Sequence, residues 1–240
     1  MRRLNRCFSL LDIPEEAPER KVAAPPSPEA LQAKARQEIE AALDLTPDLT
    51  NGLKIYRECA ACHRPEGWGL ESGSVPQVAG QHRKVLIKQL ADIRAGNRDN
   101  VLMVPYSSAE SIGGAQAVAD VTGYIDTLEI SVSNGKGPGN DLELGEHLYR
   151  ENCVRCHGEA GEGKDETFIP RIQSQHFRYL QRQFESIRDG KRRNANPEMV
   201  TQIQHFGEAE VIAVLDYISR LEPPAAFQAP EGWKNPDFHE

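Results

Sequence analysis

CAACH (residues 59–63) and CVRCH (residues 153–157) are two copies of one five-residue pattern. Thiols at Cys-x-x-Cys spacing lie on one side of a helical turn, within reach of the two vinyl groups of a single porphyrin. The adjacent histidine then faces the iron. Cys-x-x-Cys-His is accordingly the attachment signature of a c-type haem, with its histidine on the proximal side. Cys59, Cys62 and His63 predict one haem c, and Cys153, Cys156 and His157 a second. A thioredoxin-type redox pair needs a βαβ setting, and the chain shows no alternating strand pattern. A zinc site built from both pairs must bridge the 94 residues between the copies, and neither copy has the usual ligand group nearby. Either alternative leaves the histidine unexplained twice.

The duplication extends well beyond the cysteines. Pro76 matches Pro170, GQH (80–82) matches SQH (174–176), and QLADIRAGNR (89–98) matches QFESIRDGKR (183–192). Upstream, GLKIYREC (52–59) matches GEHLYRENC (145–153) with one inserted residue. Downstream, VTGYIDTL (121–128) matches VLDYISRL (214–221). Self-similarity at one spacing indicates tandem repeats. The expected organisation is an N-terminal extension (1–45), one domain (46–133), a Gly/Pro-rich linker (134–141), a second domain (142–222) and a tail (223–240).

Each copy reads as helices. Thr46-Pro47 and Asn140-Asp141 supply start signals for the first helix of each copy. Further helices are expected near 82–95 and 176–189, and near 115–129 and 208–221. In the extension, Ser27 and Pro28 predict a helix over 27–43, behind a Pro-rich tether. Gly52 and Gly145 fall inside the first helices, each four residues before a tyrosine. A mid-helix glycine costs about 1 kcal/mol against alanine, so a close helix crossing is expected there, against Val121/Tyr124 and Val214/Tyr217.

Composition narrows the function. The apolar content of 39% and aromatic content of 6% predict lean cores, which a covalently bound haem would fill, and the net charge is −8. The charge disfavours nucleic-acid binding, which needs Lys and Arg at phosphates. No apolar run approaches the roughly 18 residues of a membrane span. The apolar stretch in MRRLNRCFSLLD (1–12) is too short for a secretory signal.

With these motifs in place, the chain resembles the class I cytochromes c, specifically the diheme cytochromes of the c-four type. The features are CxxCH twice, the Gly/Tyr first helix, the GQH…QL…R-x-G-x-R…M run and the Y-I-x-x-L terminal helix, over about 46–129 and 140–222. The resemblance implies an all-α fold of two tandem class I cytochrome c domains, each built around one covalently bound haem c. It also implies a periplasmic carrier of single electrons between redox partners. Candidate partners are a donor such as a quinol–cytochrome c reductase and an acceptor such as a terminal oxidase or another oxidoreductase.

The resemblance also directs attention to the sixth ligands. Met103 in NVLMVPY and Met199 in NPEMV are the only internal methionines, one per copy, 40 and 42 residues past the CxxCH histidines. A thioether opposite histidine raises the haem potential and closes the iron to outside ligands. His82 and His176 also recur, at a helix start that the family places at the haem edge, and are expected in polar or structural roles. In class I cytochromes a proline carbonyl thirteen residues after the histidine accepts the imidazole N–H, which points to Pro76 and Pro170. Arg98 and Arg192 are candidates for pairing with haem propionates.

Two other functions fit the same motifs. One is a diheme subunit of a larger oxidoreductase, such as a flavocytochrome sulfide dehydrogenase, with the terminal extensions docking the partner. The other is a diheme enzyme such as a thiosulfate dehydrogenase, which holds one iron through a cysteine. Only Cys7, ahead of the tether, is spare for that role.

Overall fold

The computed structural model describes residues 25–238. Cys7, most of the Pro-rich tether and His239 lie outside them. Eleven α-helices run through the described residues: α1 (Pro28–Leu43), α2 (Leu49–His63), α3 (Arg83–Ala95), α4 (Val104–Ser107), α5 (Ala109–Ile112), α6 (Ala115–Ile125), α7 (Leu142–Asn152), α8 (Val154–His157), α9 (Phe177–Arg188), α10 (Pro197–Ile203) and α11 (Glu208–Arg220). Among the described residues the only β pairing consists of isolated bridges, Ile130 with Gln228 and Lys164 with Ile169.

The repeat is visible as two lobes. In the first, α2 crosses α6; in the second, α7 crosses α11. The crossings sit on the expected glycines. A methyl group added at Gly52 would run into the carbonyl of Asp120 and lie 2.9 Å from Tyr124 Cβ. At Gly145 it would run into the carbonyl of Ala213 and lie 2.9 Å from Tyr217 Cβ. The tyrosine contacts are as expected. The backbone met is that of Asp120 and Ala213, one residue before the valines named from sequence.

Tyr56 and Tyr149 are enclosed in the two cores. A buried phenol needs a partner for its hydroxyl. Tyr56 donates to the Arg64 carbonyl (2.8 Å) and Tyr149 to the Gly158 carbonyl (2.6 Å). Each therefore ties the end of its CxxCH turn to the core. The inserted residue of the second copy breaks the symmetry: α2 runs unbroken to His63, whereas α7 stops at Asn152 and α8 restarts after Cys153. One extra residue between Tyr149 and the cysteines would rotate them off the helix face. The break at Cys153 absorbs it.

Two helix starts bear on the sequence reading. Ser27 caps α1 as expected, accepting the Ala30 N–H at 3.3 Å. The start of α2 lies at Asp48, not at Thr46-Pro47: the Asp48 carboxylate accepts the N–H groups of Thr50 and Asn51 at 2.9 and 3.1 Å. Both residues are cap formers, and the aspartate takes two orphan donors at once.

The described parts of both extensions pack on the first lobe. From α1, Ile39, Ala42 and Leu43 meet Ile87 and Val118, and Glu38 forms a two-pronged ion pair with Arg94. The tail returns from the end of α11 to the opposite lobe. There Trp233 meets Trp68 with ring centroids 5.7 Å apart, and Phe238 meets Tyr56 edge-on at 6.1 Å. The buried Asn235 side chain donates to the Pro65 carbonyl.

Candidate haem sites and the seam between the lobes

The two CxxCH histidines are held alike. Nδ1 of His63 lies 3.0 Å from the Pro76 carbonyl, and Nδ1 of His157 lies 3.1 Å from the Pro170 carbonyl. A carbonyl only accepts, so Nδ1 carries the proton and the lone pair is left on Nε2. Burial holds both imidazoles below their ordinary pKa, opposed by these bonds. Each is thus a neutral, oriented nitrogen donor, the state that binds iron. The structure brings both prolines to the atoms the sequence expected.

Cys59, Cys153 and Cys156 are half-buried and Cys62 is exposed. Burial pushes Cys59 up to about 11 and Cys153 up to about 12. A redox-active or zinc-binding Cys-x-x-Cys needs the opposite, a stabilised thiolate. One thiol of each pair therefore lacks the stabilised thiolate of a redox site.

Met103 immediately precedes α4 and Met199 lies in α10; both are half-buried. Met199 packs against the second core, which includes Tyr149 and Phe184. Met103 sits in a lip whose apolar side chains face outward, Val101 being 85% and Leu102 82% exposed.

Arg98 and Arg192 are not solvated surface charges. They meet at the seam between the lobes, beside another repeat pair, Gln89 and Gln183. Arg98 donates to Gln183 (2.9 Å) and to the Tyr179 hydroxyl (3.2 Å); Arg192 donates to Gln183 (3.0 Å) and Gln89 (2.9 Å). Among the described residues neither forms an ion pair. Burial, and then Arg98, pushes Arg192 down to about 10. Burial opposes ionisation of Tyr179, but Arg98 and Arg192 outweigh it and hold the phenol below its ordinary value. Two adjacent guanidinium groups with only neutral partners make a strongly anion-seeking spot, which fits carboxylates such as haem propionates.

The residues thus fit a haem in each lobe. His63 and His157 offer a bare Nε2, the cysteine pairs offer attachment, and the arginines offer counter-charge. Once bound, such a group supplies a one-electron couple at iron.

The recurring GQH and SQH triplets form the rest of the seam. Nε2 of His82 lies 2.7 Å from the Glu162 carbonyl, and Nε2 of His176 lies 2.8 Å from the Trp68 carbonyl. Gln81 bonds both the N–H and the carbonyl of Arg171, each at 2.9 Å. Gln175 bonds the N–H of Gln77 at 3.0 Å and its carbonyl at 2.9 Å. All four reach the opposite lobe at positions related by the repeat. The lobes therefore clasp each other about a pseudo-two-fold axis. The polar role expected of the histidines is thus met at the seam, where Gln81 and Gln175 join them. The signal was present: polar residues duplicated in a repeat mark a symmetric interface when no ligand claims them.

A family model described as cytochrome c oxidase, cbb3-type, subunit III matches residues 140–218, the second lobe. Cytochrome c4 of Thiocapsa roseopersicina is 33% identical over 177 residues, covering 68% of this chain and 86% of that protein. The chain belongs to the cytochrome c4 family. A thiosulfate dehydrogenase electron acceptor of Stutzerimonas stutzeri is 30% identical over 195 residues, covering 75% of this chain and 90% of that protein. The crystal structure of reduced recombinant cytochrome c4 from Pseudomonas stutzeri superposes with a TM-score of 0.66 at 24% identity, over 74% of this chain and all of that one. Membership of the cytochrome c4 family makes the protein a diheme electron-transfer protein with two covalently bound haem c groups. No helix among the described residues is long and apolar enough to cross a membrane.

Proposed function

We propose that the protein is a periplasmic carrier of single electrons. Its irons are held by His63 with Met103 and by His157 with Met199. The observation that carries this reading is the matched histidine geometry: a neutral Nε2 in each lobe, fixed through Nδ1 by a proline carbonyl. One methionine per copy at nearly equal spacing completes the coordination, and a closed iron suits electron transfer rather than oxygen chemistry. Arg98 and Arg192 bind the propionates of the two haems at the seam. The domains span 46–133 and 142–222, joined by 134–141. Covalent haem attachment supports the periplasmic location. The partners are a quinol–cytochrome c reductase or similar donor and a terminal oxidase or other oxidoreductase as acceptor.

A second reading concerns the donor. The similarity to a thiosulfate dehydrogenase electron acceptor favours a thiosulfate-oxidising enzyme in that place. It leaves this chain a carrier. Packing of the described parts of both extensions on the first lobe favours a self-contained carrier over a subunit that uses them for docking. The test is spectroscopic. Both ferric haems show a methionine-to-iron charge-transfer band and neither binds cyanide readily. A high-spin haem or a thiolate-type spectrum overturns the reading. Rapid reduction by a thiosulfate dehydrogenase with thiosulfate, and none by thiosulfate alone, supports the second donor.

A further inference from the structure

We propose that Gln175 and Gln81 are positioning residues that act across the seam, each on the axial histidine of the opposite lobe, through a single peptide unit. The inference rests on the reading that His63 and His157 ligate the two irons.

The peptide joining Pro76 to Gln77 is engaged at both ends. Its carbonyl accepts from His63 Nδ1 at 3.0 Å, and its N–H donates to Gln175 Oε1 at 3.0 Å. The peptide joining Pro170 to Arg171 repeats the arrangement. Its carbonyl accepts from His157 Nδ1 at 3.1 Å, and its N–H donates to Gln81 Oε1 at 2.9 Å. In both cases the glutamine Nε2 donates to the next carbonyl at 2.9 Å. The two ends of each side-chain amide are thus matched to opposite partners, which fixes its orientation. Gln77 and Gln175 are buried, so little water competes for the bonds of the first relay.

A peptide whose N–H donates carries more negative charge on its own oxygen, because the two groups share one resonance system. Hydrogen bonds in series strengthen each other in this way. A stronger carbonyl acceptor draws on the Nδ1 proton and makes the imidazole a more basic ligand. A more basic axial ligand favours ferric over ferrous iron and lowers the potential. Removing the glutamine oxygen weakens the relay and raises the potential, and it does so in the other lobe. Gln175 sits in the second lobe and acts on His63; Gln81 sits in the first and acts on His157. Each lobe's potential thereby depends on docking against its neighbour.

The crossing makes the test sharp. The full-length holoprotein carrying Gln175→Met or Gln81→Met is titrated potentiometrically, with paramagnetically shifted haem methyl resonances reporting the two irons separately. Gln175→Met is expected to raise the potential of the His63 haem and leave the His157 haem unchanged; Gln81→Met does the reverse. Gln175→Glu and Gln81→Glu keep an acceptor oxygen opposite the N–H and give no rise. Unchanged potentials, equal shifts in both haems, or a rise in the Glu variants matching the Met variants overturns the relay. If a Met variant does not assemble, the Glu variants decide: the relay predicts the larger downward shift in the opposite lobe, and equal shifts overturn it. Loss of the relay leaves both haems low-spin, whereas a haem lacking histidine in the unsubstituted protein overturns the ligation reading instead.

Discussion

His176 and Trp68 lie 108 residues apart in sequence, yet Nε2 of the histidine is 2.8 Å from the tryptophan carbonyl. The opposite ring nitrogen, Nδ1, accepts the N–H of Gly135 in the linker at 3.0 Å. One neutral imidazole thus joins the first lobe, the linker and the second lobe. Protonating it would remove the acceptor that Gly135 needs.

The pH dependence follows. Burial holds His176 below its ordinary value, with its bond to Trp68 and the charge of Glu71 opposing and Arg64 reinforcing. A histidine unfolds to a value of about 6.5. Where the native value is lower, the unfolded chain binds more protons, so stability rises with pH. The His176 contribution is full above about pH 6.5 and is lost as pH falls through the unfolded value toward the native one. Urea titrations of the holoprotein between pH 7.5 and 5, values spanning that window, are expected to show falling stability. The fall should be smaller in His176→Gln.

Gly145→Ala should destabilise the second lobe by about 1–3 kcal/mol, the range for overpacking. The methyl group has the Ala213 carbonyl and Tyr217 Cβ in its path. Alanine's better helix propensity, about 1 kcal/mol, only partly offsets this. Thermal melting followed at the two haems separately checks it: the second lobe melts earlier and the first is unaffected.

The tail gives a prediction of opposite polarity. Trp233 and Phe238 follow the second lobe in sequence but pack on the first. Trp233→Ala should therefore lower the stability of the first lobe, by about 1–2 kcal/mol from lost apolar burial and an aromatic pair. The same melting experiment reads it. Earlier melting of the second lobe alone would refute a stabilising role of the tail on the first.

What the sequence reveals and what it hides divide along physical lines. CxxCH, Ser27 and the glycines of the first helices announce themselves, because each role depends on a side chain, or its absence, at fixed local spacing. The clasp does not. His82, His176, Gln81 and Gln175 all bond to backbone groups, and a carbonyl at Trp68 or Glu162 has no residue identity for a sequence to display. The tail is hidden for a related reason: Trp233 and Trp68 meet only after the chain has passed through both lobes. The start of α2 is ambiguous in sequence because Thr46 and Asp48 are both good caps and only the geometry of the first turn decides between them. Arg98 and Arg192 stood out through the repeat. Their meeting at one seam, with Gln89 and Gln183 between them, needed the lobes docked.

Whether one methionine binds each iron is read from the near-infrared absorption of ferric Met103→Ala beside the unsubstituted protein. About half of the methionine-to-iron charge-transfer absorbance should disappear, since one of two thioether ligands is lost. The His63 haem should then bind cyanide readily while the His157 haem stays low-spin with Met199. An unaltered spectrum would return Met103 to a packing role and remove it from the iron.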